Sequence, residues 1–183
     1  MITYEWPRIR SRRATRLSRW TELIERQVEF APEGPVETYH AIGQSDYISI
    51  VALTPERMLP IVRQFRPALE SFTWELPAGL VDSEEEPATA CRRELAEETG
   101  FAARSVKLLG AASPCTGRLS NRIYSFFVET GARTADFSPE SGISVKLVTP
   151  PELVRLIVAG EFISQLHLGT LMLADLQGVL RLT

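Results

Sequence analysis

Glu94, Glu97 and Glu98 stand at spacings of three and four, so a helix through them places three carboxylates on neighbouring positions of one face. Like charges so placed repel and cost helix stability unless a cation sits among them. Mg²⁺ suits the position, because it takes oxygen ligands and shares a few carboxylates with substrate phosphates. Arg93, next in the chain, is placed to pair with one of these carboxylates and fix its direction. Gly79, following Pro77 and Ala78, allows a loop to bend back toward the helix and brings the Ala78 carbonyl forward as a further ligand.

The elements that must position these groups are readable around them. Residues 87–99, "PATACRRELAEET", form the clearest helix: Pro87 suits a first helical position and Gly100 the left-handed residue just past the end. Ala88, Cys91 and Leu95 give it an apolar stripe. Ahead of it, residues 20–42 read as a β-hairpin around the turn "APEGP", followed by strands "YISIVAL", "MLPIVRQF" and "SFTWELPAG". Behind it, strands are expected near 105–112, 121–129 and 143–149. A helix then starts at the capping box Thr149–Glu152 and stops at Gly160, and a last, mostly buried helix spans about 163–177. Strands, one helix, more strands and then helices predict an α/β fold with a mixed sheet packed between helices.

The composition excludes several classes. Hydrophobic residues at 44% and charged residues at 23% are ordinary for a folded soluble protein of 183 residues, and one domain is expected. Apolar runs are too short to span a bilayer, and the N-terminal segment has no apolar core of a secretory signal. Two cysteines, Cys91 and Cys115, are too few for a disulfide framework, so a cytoplasmic location is expected. The net charge of −3 gives no expectation of a nucleic-acid partner. Six arginines within residues 1–20 read as a mobile, solvated tail over 1–17, in a chain with 18 arginines and only Lys107 and Lys146 as lysines.

The segment Gly79–Phe101, "GLVDSEEEPATACRRELAEETGF", resembles the signature of the Nudix hydrolases, G-x5-E-x7-R-E-(apolar)-x-E-E-x-G-(apolar), at every position. Gly79, Glu85, Arg93, Glu94, Leu95, Glu97, Glu98, Gly100 and Phe101 carry it. Seven fixed letters at about one in fifteen each match by chance about 10⁻⁸ times per window, which excludes a merely solvated acidic helix. "IVRQFRPALESFTWELPAGLVD" before this box and "AASPCTGRLSNR" after it, with Pro114, are similar to the ADP-ribose pyrophosphatase branch.

The resemblance implies a Nudix fold with an N-terminal β-hairpin extension, the domain covering 18–183 and the hairpin at 18–45 used in a homodimer. It implies metal-dependent hydrolysis of a nucleoside diphosphate sugar, ADP-ribose giving AMP and ribose 5-phosphate. Glu94, Glu97, Glu98 and the Ala78 carbonyl would hold Mg²⁺ or Mn²⁺. Gly79, Glu85 and Gly100 would support the box, Glu85 through Arg93. Trp20 and Tyr39 would stack adenine, and Arg66 would reach a phosphate, with Leu80, Pro114 and Thr116 also at the substrate. For Trp20 the alternative is a core position, and for Arg66 a salt bridge with Glu75. His40, His167 and both cysteines read as structural. The branch often carries a glutamate in the loop before the last strand; here that position falls near Ile143 or Ser144, and Glu140 is the nearby acid that would serve as base, unless a box glutamate does. Rival readings are another sugar substrate of the GDP-mannose or UDP-glucose type, a non-catalytic nucleotide-sugar sensor, and RNA-end processing that recruits the arginine tail.

Overall fold

The computed structural model describes residues 5–182. The chain divides into two units, one formed by residues up to 45 with 113–122, the other by 46–112 with the remainder.

The first unit is a three-stranded antiparallel sheet of β1 (Arg8–Arg16), β2 (Glu22–Glu29) and β3 (Val36–Gly43), in that order. The hairpin β2–β3 is the expected one, with Glu22 opposite Gly43 and Glu29 opposite Val36. The mobile tail is not. Arg12 lies opposite Arg26 and Arg16 opposite Glu22, so the arginine run is a strand whose backbone is hydrogen-bonded to β2. Arg10 forms an ion pair with the buried Glu29, which fixes this strand from its side chains as well. Backbone pairing and an ion pair to a buried carboxylate outweigh the charge density that points to a solvated tail.

The second unit holds a mixed four-stranded sheet in the order β7-β4-β9-β8, comprising β4 (Tyr47–Leu53), β7 (Ala78–Leu80), β8 (Phe101–Ala112) and β9 (Ile123–Arg133). An antiparallel sheet in the order β10-β5-β6 joins β5 (Leu59–Arg66), β6 (Ser71–Glu75) and β10 (Ser144–Val148). β4 runs parallel to β9 and is buried from Ile48 onward, as expected of a central strand covered on both faces. Its alternate residues separate two cores. Ile48, Ile50 and Ala52 pack with Ala90, Cys91 and Leu95 of α1 (Pro87–Thr99). Val51 and Leu53 pack with Leu153 of α2 (Pro150–Val158) and with Leu171 and Ala174 of α3 (Gln165–Leu176). The sheet is thus sandwiched between helices. Truncating Leu95, fully buried in this arrangement, would cost about 2–5 kcal/mol.

Helix boundaries follow the local chemistry. Gly100 takes φ 75° and closes α1, while the Thr149–Glu152 capping box opens α2. Two details of the helices differ from expectation. Ala88 is exposed and Ala90 takes its place on the buried stripe of α1. α3 is only half buried: Leu171 and Ala174 face the core, whereas Met172 and Leu176 are exposed. No helix among the described residues is long and apolar enough to cross a membrane.

Candidate active site

The site is organised on α1 and on β7, the short strand that precedes it. The Leu95 stripe presses α1 against β4, which turns Glu94 and Glu98 toward β7 and leaves Glu97 at the surface. Arg93 ties the acids together. Its Nε and Nη2 donate to Glu85 at 3.1 and 2.9 Å, Nη2 also donates to the Leu80 carbonyl at 3.1 Å, and Nη1 donates to Glu94 at 2.7 Å and to Glu97 at 3.1 Å. One guanidinium therefore fixes the loop and two of the three helix carboxylates, a geometry that a lysine point charge does not reproduce.

Glu98 stands outside this network. It is only 9% exposed, and Oε2 accepts from the Ala78 backbone N–H at 2.9 Å. The expected contribution of Ala78 is its carbonyl; the contact made to the site is through its amide. Burial pushes the Glu98 carboxyl up to about 8, the Ala78 hydrogen bond only partly opposing it and the neighbouring Glu94 charge adding to it. Burial raises Glu94 as well, against the pull of Arg93, while Arg93 holds Glu85 below the usual carboxylate range. Gly79 is required by close approach: a Cβ there would stand 2.0 Å from Glu94 Cδ. Gly100 is required twice, by its positive φ and by the Phe137 ring packed where its Cβ would be.

Arg66, at the end of β5, forms the ion pair with Glu75 that was the alternative to phosphate contact, with Nε donating at 2.8 Å; its side chain nonetheless stays 41% exposed. Glu140 lies exposed in the loop before β10, with no side-chain hydrogen bond or ion pair among the described residues. In the first unit, Trp20 is 55% exposed and is not a core residue. It lines a cleft of about 480 Å³ with Arg16, Arg19, Gln44 and Ser120, and the Arg19 guanidinium lies 4.1 Å from its ring centroid. Tyr39 does not line this cleft; it packs edge-on against Phe30 and donates to Glu37. Pro114 is half-buried and Thr116 exposed, both on the segment that also supplies Ser120. Sequence reasoning passed over Glu75 as more than a salt-bridge partner, and passed over Ser49, because their meaning depends on contacts distant in the chain.

The NUDIX domain model matches residues 45–165, about two thirds of the chain, including Ala78, Gly79, Glu85, Arg93, Glu94, Glu97 and Glu98. The chain belongs to the Nudix family. Among Nudix relatives, an ADP-ribose pyrophosphatase of Bacillus subtilis is 27% identical over 143 residues, covering 76% of this chain and 77% of its own. A protein of the same name from Mycobacterium tuberculosis is 27% identical over 143 residues, covering 75% and 69%. A solved structure described as an ADP compounds hydrolase superposes with a TM-score of 0.81 at 20% identity over 98% of both chains, a likeness of fold. The expected Nudix fold and enzyme class both hold.

Proposed function

We propose that this Nudix enzyme is a metal-dependent pyrophosphohydrolase of nucleoside diphosphate sugars, with ADP-ribose as substrate and AMP and ribose 5-phosphate as products. The observation that carries this reading is the complete acidic set held by Arg93 and β7: Glu85, Glu94, Glu97 and Glu98. The two pyrophosphatase relatives point to the substrate.

The residues present fit Mg²⁺ or Mn²⁺ by chemistry. All donors are oxygens, and the absence of a side chain at Gly79 lets the Glu94 carboxylate lie directly against β7. Buried Glu98 has a single amide donor to offset its desolvation, an environment a cation would complement. The described residues show no ready-made cluster of three such side chains, and Arg93 Nη1 donates to both Glu94 and Glu97. Glu94, Glu97 and Glu98 would hold the ion, which supplies charge neutralisation at the diphosphate and acidification of the attacking water. Arg93 orients Glu94 and Glu97, and Glu85 orients Arg93. Arg66 offers its exposed guanidinium edge to a phosphate, and Trp20 offers a ring face to adenine.

A homodimer through residues 18–45 belongs to the same proposal, on the strength of exposed Trp20, Phe30 and Tyr39 on that hairpin. So does a cytoplasmic setting, given two free cysteines. The test is a panel of nucleoside diphosphate sugars assayed with Mg²⁺ for released mononucleotide. AMP from ADP-ribose at the highest kcat/KM supports the reading. A preference for GDP-mannose or UDP-glucose moves the substrate, and no turnover of any member sinks it. Sedimentation as a monomer at micromolar concentration removes the dimer.

A further inference from the structure

α3 is mostly leucine and other apolar residues, yet it buries one imidazole. His167 is 4% exposed, and both ring nitrogens are engaged. Nδ1 lies 3.0 Å from Ser49 Oγ, on the central strand β4, and Nε2 lies 3.2 Å from Glu75 Oε2, on β6. His167 falls just beyond the segment matched by the family model, which ends at residue 165.

Glu75 is the junction. It too is buried, and it accepts from Thr73 Oγ1 at 2.5 Å, from Arg66 Nε at 2.8 Å, from Arg66 Nη2 and from His167. Burial alone would favour its neutral form; the hydrogen bonds from Arg66, His167 and Thr73 prevail and hold it ionised. An ionised carboxylate only accepts, so the His167 proton facing it is on Nε2, while Nδ1 meets the Ser49 hydroxyl. The same oxygen, Oε2, receives both His167 Nε2 and Arg66 Nη2. The direction of the carboxylate therefore sets the direction of the guanidinium, and the imidazole sets the direction of the carboxylate. Ser49 fixes the imidazole in turn, on the strand that also pairs with Ala78 beside Glu98.

We propose that His167 is a positioning residue for phosphate recognition: through Glu75 it holds the Arg66 guanidinium in the one orientation that meets a diphosphate oxygen. This rests on the nucleoside diphosphate sugar reading of the site. Arg66 makes the contact; His167 touches no substrate atom.

Two substitutions separate the two ring nitrogens. His167→Gln places an amide N–H near Nε2 and preserves the contact with Glu75. His167→Asn reaches only the Ser49 side. With ADP-ribose and saturating Mg²⁺, His167→Asn should raise KM by about tenfold, the worth of one charge-assisted hydrogen bond, with kcat changed much less. His167→Gln should stay near the wild type in both. The Arg66 Nε–H resonance of the metal-free protein should be protected from exchange in wild type and His167→Gln, and lost in His167→Asn. Equal KM values for the two variants, or an Arg66 resonance indifferent to both, would overturn the proposal. Should His167→Asn not fold, Ser49→Ala frees the same ring from its far side; it should raise KM by about threefold, and an unchanged KM overturns the proposal equally. Wild-type protein that turns over no nucleoside diphosphate sugar sinks the substrate reading instead, while the Arg66 resonance still decides the role of His167.

Discussion

The carboxylate of Glu94 occupies the place where a side chain on residue 79 would begin. The clash that Gly79→Ala creates is with the far end of a flexible side chain, so the backbone has no need to move. Glu94 swings away from β7 and out of register with Arg93. Thermal stability should fall little, while kcat should drop about 10²-fold, the cost of misplacing one group by about 1 Å. Calorimetry beside steady-state kinetics checks it. Equal loss of folding and activity would mean that residue 79 matters to the strand and not to Glu94.

Glu98 makes the stability of the metal-free protein fall as pH rises through neutrality. A carboxyl raised to about 8 in the folded chain, from about 4.5 in the unfolded one, takes up a proton on folding across that window. The folded state binds more protons there, so stability falls as pH rises from about 4.5 to about 8. In chelator, Glu98→Gln should abolish that fall and leave a protein more stable than wild type at pH 8, by an amount on the order of a few kcal/mol. At pH 4 the two should coincide. Urea titrations at the two pH values measure the difference. With Mg²⁺ present, the same substitution should remove activity by several powers of ten, as the charge proposed to hold the ion is gone.

Trp20→Ala should separate binding from folding. An exposed ring removed from a cleft leaves stability within about 0.5 kcal/mol. Stacking of a base on an aromatic ring contributes about 1–3 kcal/mol, so on the proposed adenine contact ADP-ribose affinity should weaken while Mg²⁺ affinity does not. Calorimetric titration of each ligand reads both. Unchanged ADP-ribose affinity would place adenine elsewhere.

Glu140→Gln should be nearly silent. Its side chain is exposed and unengaged, whereas Glu97 is held at 3.1 Å by Arg93 beside Glu94. Glu97→Gln should show the larger loss, about 10²–10⁴-fold in kcat, as expected where a box glutamate and not Glu140 serves the reaction. Turnover under saturating Mg²⁺ distinguishes the two, and a loss confined to Glu140→Gln reverses the assignment.

The box helix was legible because its signals are local. Pro87 and Gly100 mark its ends, and the spacing of Glu94, Glu97 and Glu98 states which face carries charge. Arg93 was legible as a carboxylate partner; that it binds three carboxylates and the Leu80 carbonyl at once depends on how the loop closes, which spacing does not encode. His167 was read as structural because its partners lie 92 and 118 residues away in the chain. The arginine segment was misread for a different reason. Its charge was weighed, but a strand is decided by backbone pairing, and the polar turn that carries the chain from Arg16 into β2, where the Leu17 and Ser18 amides bond the Thr21 carbonyl, was not recognised.

β1 is the outer strand of its sheet, and among the described residues its far side has no strand beside it. Such an edge is a template on which a second chain can add by backbone hydrogen bonding. Here the template carries Arg8, Arg10, Arg12, Arg13 and Arg16 within nine residues. Two copies approaching edge to edge would set one row of guanidinium groups against another, each close pair costing about 1 kcal/mol in water. The arginines thus guard the chain against self-association along an open edge. That guard weakens with salt, since the range of charge falls from about 8 Å at physiological ionic strength to about 3 Å at 1 M. Concentrated solutions of this protein should stay clear at low ionic strength and grow turbid as salt screens the strand.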